Sequence, residues 1–305
     1  MKFFHFGLTI VIIGTLTLTG CSEPTQINPP FTTYTDDIGR TVQIQGIPQR
    51  LVSLSPSNTE MVYALGLQDR LVGVTSYDNY PPDVKSKPIV SEYSKTDLEK
   101  IVAARPDLIL ADNIQENVTI PALEKMGLTV YTMTPGSAED ILDDIQLLGK
   151  ITGKTKQAND LVSSLRSRIK NVADKTSKLA DSQKPRVLFV TWHDPIWTAG
   201  SETMIQYLIE QAGGINIAGN LQGYATITLE AAIQLDPQVI IIMSSMGEQN
   251  VSLEFIKSNV QFKVTDALEN NRVYEIDADI FGRTTPRIVD GLETLAKLLH
   301  PEIFK

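Results

Sequence analysis

A chain of 305 residues, 42% of them hydrophobic, is long enough for two domains with a sizeable core. Its 27 basic against 36 acidic side chains leave a formal charge of −9, which argues against a nucleic-acid partner, and no basic patch interleaved with aromatics is present. The single cysteine, Cys21, excludes an internal disulfide framework and a cysteine-rich zinc site.

The chain opens with Lys2, the apolar run FGLTIVIIGTLTL and then LTGC. A basic start, a short apolar stretch and small residues at its end predict an export signal over residues 1–20. Phe6 to Leu18 is shorter than the ~18–20 residues a membrane span needs. LTGC resembles a bacterial lipobox, in which the cysteine is lipidated and becomes the new N-terminus. Residues 21–35, SEPTQINPPFTTYT after the cysteine, then read as a polar, proline-bearing flexible tether. These features together predict a lipoprotein held on the outer face of the cytoplasmic membrane or in the periplasm.

The mature chain alternates apolar strand-like runs with helical patterns. RLVSLSP, the helical SNTEMVYALGL and RLVGVTS come first, followed by TDLEKIVAARPDLILA and LTVYTMTP. The order returns as RVLFVTW, the helical ETMIQYLIEQAGG, ITLEAAIQLDPQVIIIM and RVYEID. One element is written twice, with Glu99 and Glu230 standing 131 residues apart (230 − 99), as do Pro106 and Pro237 (237 − 106). Continuous Val/Ile/Leu strands alternating with helices predict two α/β lobes with central parallel sheets, over residues 36–153 and 183–305. Between them, residues 154–182 carry Leu161, Leu165, Ile169 and Val172 near helical spacing with no Gly or Pro. At ~1.5 Å per residue this predicts a rigid connecting helix of about 40 Å.

Ligands of open parallel sheets bind beyond the carboxyl ends of the strands. Those ends carry Ser55 and Ser57, Tyr77 and Asp78, Asp112 and Asn113, Trp192 and His193, Ser244 and Ser245, and Asp277. Nearby loops add Tyr80, Tyr93, Trp197, Phe281 and Arg283, and both tryptophans of the chain fall in TWHDPIW. This concentration of aromatics suits stacking against a large flat ligand.

Catalytic constellations are missing. GKITGKT places three residues between its glycines where a phosphate loop has four, and it follows a helix instead of a strand. AGGINIAG lacks dinucleotide-loop spacing, and there is no G-x-S-x-G elbow. Beyond the signal only His193 and His300 remain, too few for a histidine-rich metal site, and His300 reads as a solvated surface residue. No enzyme, resident metal or cofactor is expected.

From TYTDDIGRTVQI to the C-terminus the chain resembles substrate-binding lipoproteins of ABC importers, in the group that serves cobalamin, ferric siderophores and haem. RLVSLSPSNTEMVYALGL, LVGVTSYDNYPPDV and LEKIVAARPDLIL carry the resemblance, and SYDNYP and FGRTTPR are closest to the periplasmic cobalamin-binding branch. The resemblance implies the class III periplasmic-binding-protein fold: two Rossmann-like lobes, one long helix and a cleft with limited hinge motion. It implies a corrinoid ligand delivered to a permease dimer with its ATPase subunits by a monomer anchored through lipid. Haem ligated by Tyr93 or His193 is the alternative, and a ferric siderophore comes third. An enzyme borrowing the same fold is disfavoured by the export signal and the missing catalytic set.

By the same resemblance, Glu99 and Glu230 would each dock into an arginine-lined pocket of a permease subunit. Read alone, they complement helix dipoles behind the caps Asp97 and Thr228, and both roles are compatible. Tyr77 and Tyr80 match the family's cleft loop. Tyr93 stands where the cobalamin branch has Trp, Trp197 where it has Phe, and Ile280 replaces an expected Trp beside Phe281. Ser57, Asp78, Trp192, His193 and Arg283 complete the expected ligand site, with Arg287 available to pair with ligand carboxylates or amides.

Overall fold

The computed structural model describes Met1 and residues 29–92, 95–244 and 251–304. The export segment from Lys2 onward, Cys21, the first part of the tether, Tyr93 and Ser245 lie outside the described residues. The first described element is a hairpin, β1 (Phe31–Thr35) and β2 (Thr41–Gln45), paired antiparallel from Phe31 opposite Gln45 to Thr35 opposite Thr41. The last five residues assigned to the tether are therefore a strand. Tyr131 donates from its hydroxyl to the Thr35 carbonyl at 2.8 Å, and Asp37 accepts from the Thr134 amide at 2.6 Å, which holds the hairpin on the first lobe.

The first lobe follows as β3 (Leu51–Ser53), α1 (Pro56–Ala64), β4 (Leu71–Thr75), β5 (Ile89–Ser91), α2 (Leu98–Ala104), β6 (Leu108–Ala111), α3 (Thr119–Lys125), β7 (Val130–Thr132) and α4 (Ala138–Ile151). Its five strands are all parallel in the order β5-β4-β3-β6-β7. After the linking helix α5 (Thr155–Thr176), the second lobe runs β8 (Arg186–Val190), β9 (Trp192–His193), β10 (Ile196–Ala199), α6 (Met204–Gln211), β11 (Ile215–Asn216), β12 (Tyr224–Ile227), α7 (Leu229–Gln234) and β13 (Val239–Met243). It closes with α8 (Val251–Ser258), α9 (Asp266–Glu269), β14 (Val273–Ile276), α10 (Ala278–Phe281) and α11 (Ile288–Leu299). The parallel order is β11-β8-β13-β14, and a separate antiparallel ribbon, β12-β10-β9, continues from the end of β8.

The doubled sequence element occupies equivalent places: α2-β6 and α7-β13 each supply the strand beside the central one. Asp97 caps α2 by accepting from the Lys100 amide at 3.1 Å, and Thr228 caps α7 by accepting from Ala231 at 3.2 Å. The residue before each proline is left-handed, Arg105 at φ 46° and Asp236 at φ 44°, so each helix stops before its proline. An arginine at the start of each central strand then satisfies the freed carbonyls. Arg50 donates to Ala104 and Arg105 at 2.6 and 2.9 Å, and Arg186 donates to Asp236 and Leu235 at 2.8 and 3.3 Å. The repeat is thus a helix-stop and strand-start device used twice.

One apolar core crosses the lobe boundary. Met61 of α1, Ile145 of α4, Leu165 of α5, Leu208 of α6 and Leu292 of α11 belong to a single buried cluster with the inner faces of both sheets. The outer faces carry separate clusters under α2 and α3 and under α7 and α8. Helix α5 packs on α4 on one side and on α11 and α6 on the other. Arg166 pairs with Glu139 of α4, while Arg168 donates to Glu293 at 2.9 and 2.7 Å and to Asp290 at 2.5 Å on α11. The helix has 22 residues, about 33 Å at ~1.5 Å each. It ends at Thr176, short of the expected 154–182, and the Thr176 hydroxyl donates to the Gln211 carbonyl at 2.9 Å, tying the end of α5 to the end of α6.

GKITGKT forms the corner between α4 and α5. A Cβ on Gly149 would lie 2.3 Å from that of Ala158, and Gly153 takes φ +73°, so both glycines serve a close helix turn. His300, expected on the surface, is 2% exposed, with Nε2 3.1 Å from the Gly213 carbonyl. The end of α11 lands there on the turn after α6. Among the described residues no helix is long and apolar enough to cross a membrane.

Candidate functional site

The carboxyl ends of the parallel strands carry the predicted residues. At the end of β3, Ser55 caps α1 by accepting from the Asn58 amide at 3.3 Å, which leaves Ser57 half-buried in the first turn. Asn58 donates to the Ala111 carbonyl at 2.8 Å and ties this helix start to the end of β6. After β4 the chain turns around Asp78, whose carboxylate accepts from the Thr75 amide and hydroxyl at 2.8 and 2.7 Å. Asp78 is buried, and burial raises its carboxyl above the ordinary value while the Thr75 bonds pull it back. It therefore shapes the loop instead of facing a ligand. Its neighbours Tyr77 and Tyr80 are 51% and 43% exposed, pushed outward by that turn. Asp112 caps the turn that follows β6, and Asn113 is exposed there.

The second lobe displays its aromatics differently. Trp192 and Trp197 stand directly opposite each other on β9 and β10, 45% and 41% exposed. Opposed residues of an antiparallel pair point to the same face, so the two indoles form one apolar platform. Trp192 donates from Nε1 to the Asp194 carbonyl at 3.0 Å, and its ring lies 4.6 Å from that of His193. His193 is oriented by α8: Nδ1 lies 3.1 Å from the Ser252 hydroxyl, and its ring lies 5.1 Å from Phe255. At the ends of β13 and β14, the Ser244 hydroxyl accepts from the Ala278 amide at 3.1 Å, and Asp277 caps α10.

Phe281, expected to line the cleft, is 4% exposed and lies in the core. Its ring lies beside Gly291 of α11, where an added Cβ would come no nearer to Phe281 than ordinary van der Waals contact, 3.4 Å from Cζ. Arg283 is not open for a ligand alone. It donates to Glu60 at 3.1 Å and to Asn79 at 2.8 Å, pairs with Asp279 at 2.7 Å, and reaches the Tyr77 carbonyl at 3.4 Å. Arg287 grips Glu60 in a fork, Nε to Oε2 at 2.7 Å and Nη2 to Oε1 at 2.6 Å, and lies 4.0 Å over the Tyr80 ring. That hydrogen bonding holds the Arg287 guanidinium above its ordinary range.

Sequence reasoning missed Glu60, Asn79 and Asp279. Glu60 offered one signal, an acid inside an apolar helical run. With Asp279, Arg283 and Arg287 it makes a cluster of two acids and two arginines that joins the lobes beside a cavity of about 260 Å³ lined by Tyr80, Pro81 and Pro286.

Glu99 and Glu230 are both exposed, each two residues past its helix cap. The carboxylates sit where the positive end of the helix dipole favours them. Among the described residues no group of three or more His, Cys, Asp or Glu side chains is placed to hold a metal ion.

Two parallel α/β lobes bridged by a helix, with aromatic loops at their strand ends, define a two-lobed solute-binding protein. The profile of the periplasmic binding protein family matches residues 51–280, and the chain belongs to that family. It is 30% identical to an uncharacterized ABC transporter substrate-binding lipoprotein of Bacillus subtilis, over 97% of this chain and 96% of that one. It is 28% identical to a cobalamin-binding protein of Halobacterium salinarum, over 88% of this chain and 74% of that one. A periplasmic haem-binding protein from Pseudomonas aeruginosa superposes with a TM-score of 0.75 at 28% identity, over 84% of this chain and 94% of that one. The chain is the substrate-binding component of an ABC importer, working outside the cytoplasm. It carries a transported small molecule to a permease and its ATPase, holds no cofactor of its own and is not an enzyme.

Proposed function

We propose that this importer component captures a corrinoid between its lobes and hands it to the permease as a monomer, docked through Glu99 and Glu230. The observation that carries the reading is the paired, exposed Trp192 and Trp197 on one face of the ribbon, with Tyr77 and Tyr80 exposed on a loop of the other lobe. Flat aromatic faces suit a macrocycle. The arginines of the cleft are already neutralised by Glu60 and Asp279. That balance favours a ligand rich in neutral amides over one that brings several carboxylates, since unpaired buried charge is costly. Ser57, Asp78 and His193 complete the site, Asp78 by shaping its loop. The cobalamin-binding relative of Halobacterium salinarum adds weight.

Haem is the second reading, favoured by His193, whose ring is oriented through Nδ1 by Ser252 as metal-ligating imidazoles are, and by the haem-binding structural neighbour. Tyr93 is the other candidate iron ligand. The deciding experiment incubates the protein with cyanocobalamin, hemin or a ferric siderophore, desalts it and records the absorbance spectrum. Retained corrinoid bands support the proposal; a Soret band alone overturns it in favour of haem. Lipidation at Cys21 supplies the membrane anchor in this reading, and Cys21→Ser is expected to move the protein from the membrane to the soluble fraction.

A further inference from the structure

We propose that Glu60 is a positioning residue for ligand capture: its carboxylate, held between Arg283 and Arg287, latches the two lobes and presets the Tyr77–Tyr80 loop against residues 277–287. The side chains of Glu60, Arg283 and Arg287 are 3%, 11% and 14% exposed, so the pairing is shielded from the solvent that weakens surface ion pairs. The geometry is specific. Arg287 meets both carboxylate oxygens, and Arg283 adds a third contact to Oε1. A second tie runs alongside, from Asn79 Nδ2 to Asp279 at 2.6 Å.

Each end is rooted in a rigid element. Glu60 lies on α1, whose start is bonded to the ends of β3 and β6, and Arg287 immediately precedes α11, whose apolar face lies in the shared core. Loop motions therefore do not absorb a separation of the lobes, and the ion pairs must break. Because Arg283 also touches Asn79 and the Tyr77 carbonyl, its position and that of the aromatic loop are set together. Removing Glu60 leaves two arginines with one remaining acid, Asp279, and releases both the loop and the lobe spacing. The positioning role rests on the cleft being the ligand site, but the latch itself is tested without ligand.

Spin labels at Glu116→Cys and Lys263→Cys, exposed positions on opposite lobes, in a Cys21→Ser background report the inter-lobe distance by pulsed electron resonance. The wild-type latch is expected to give one narrow distribution. Glu60→Gln is expected to broaden it or add a longer-distance population, with the fold checked by circular dichroism. Arg287→Gln, which leaves Glu60 paired to Arg283, is expected to broaden it less. Glu60→Gln combined with Arg287→Gln is expected to broaden it no further than Glu60→Gln alone, because both substitutions remove the same ion pair; a residue that only supports the fold gives additive damage instead. Should Glu60→Gln fail to fold, Arg287→Gln decides. Folded variants with the wild-type distribution, or strictly additive broadening, overturn the latch. Cyanocobalamin release is expected to be several-fold faster from Glu60→Gln. If the wild-type protein binds no cyanocobalamin, the corrinoid reading fails while the distances still decide the latch.

Discussion

The two lobes share one plan and use their strand ends differently. In the first, a single turn around Asp78 pushes Tyr77 and Tyr80 outward. In the second, the chain leaves β8 into an antiparallel ribbon before returning to the α/β alternation, and the ribbon displays Trp192 and Trp197. What is common to both lobes, the capped helix carrying an exposed Glu99 or Glu230 and the arginine from the central strand, is scaffold and, in the proposed reading, the surface that meets the permease. What differs is the aromatic surface displayed at the strand ends, the proposed ligand face.

The strongest way to break this division is to reverse the shared glutamates. Glu99→Lys with Glu230→Lys is expected to abolish stimulation of the reconstituted transporter ATPase while leaving ligand affinity unchanged, since reversing a paired interface charge costs about 2–5 kcal/mol. Each single reversal is expected to fall between wild type and the double variant. Wild-type stimulation by the double variant would reduce both residues to helix-dipole partners.

The differing surfaces are probed by Trp197→Ala, expected to weaken cyanocobalamin binding by about 1–3 kcal/mol with ATPase stimulation by the loaded protein preserved. Titration calorimetry showing unchanged affinity would remove the ribbon from the site.

The smallest expected effect concerns the hairpin, which precedes the repeat. Burial first, and then the neighbouring Asp37, push the Asp144 carboxyl up to about 8, and burial raises Asp37 as well. Burial and the like charge of Asp37 both favour the protonated form of Asp144. The folded pKa exceeds the ordinary ~3.9 of the unfolded chain, so this contribution is fully present below that value and is lost as pH rises through about 8. Asp144→Asn supplies a permanent donor and is expected to gain about 1 kcal/mol over wild type at pH 9, with little difference at pH 4. Equal pH profiles in denaturant melts would show that Asp144 is not held protonated.

The sequence by itself determined the alternation of strands and helices, the doubled element, the caps Asp97 and Thr228, and the clustering of aromatics at strand ends. Each depends on neighbours within a few residues: apolar period, a capping side chain, a proline that stops a helix. Tertiary structure alone decided the rest. Glu60 and Arg287 are 227 residues apart, and nothing local to either marks the other as its partner. Phe281 turned inward onto the core it shares with α11, and His300 was buried because the same helix ends on the turn at Gly213. Residues 31–35 became a strand because β2 and Tyr131 offered them bonds. In each case the outcome depends on which distant surface the chain returns to, and the local pattern of residues does not contain that distance.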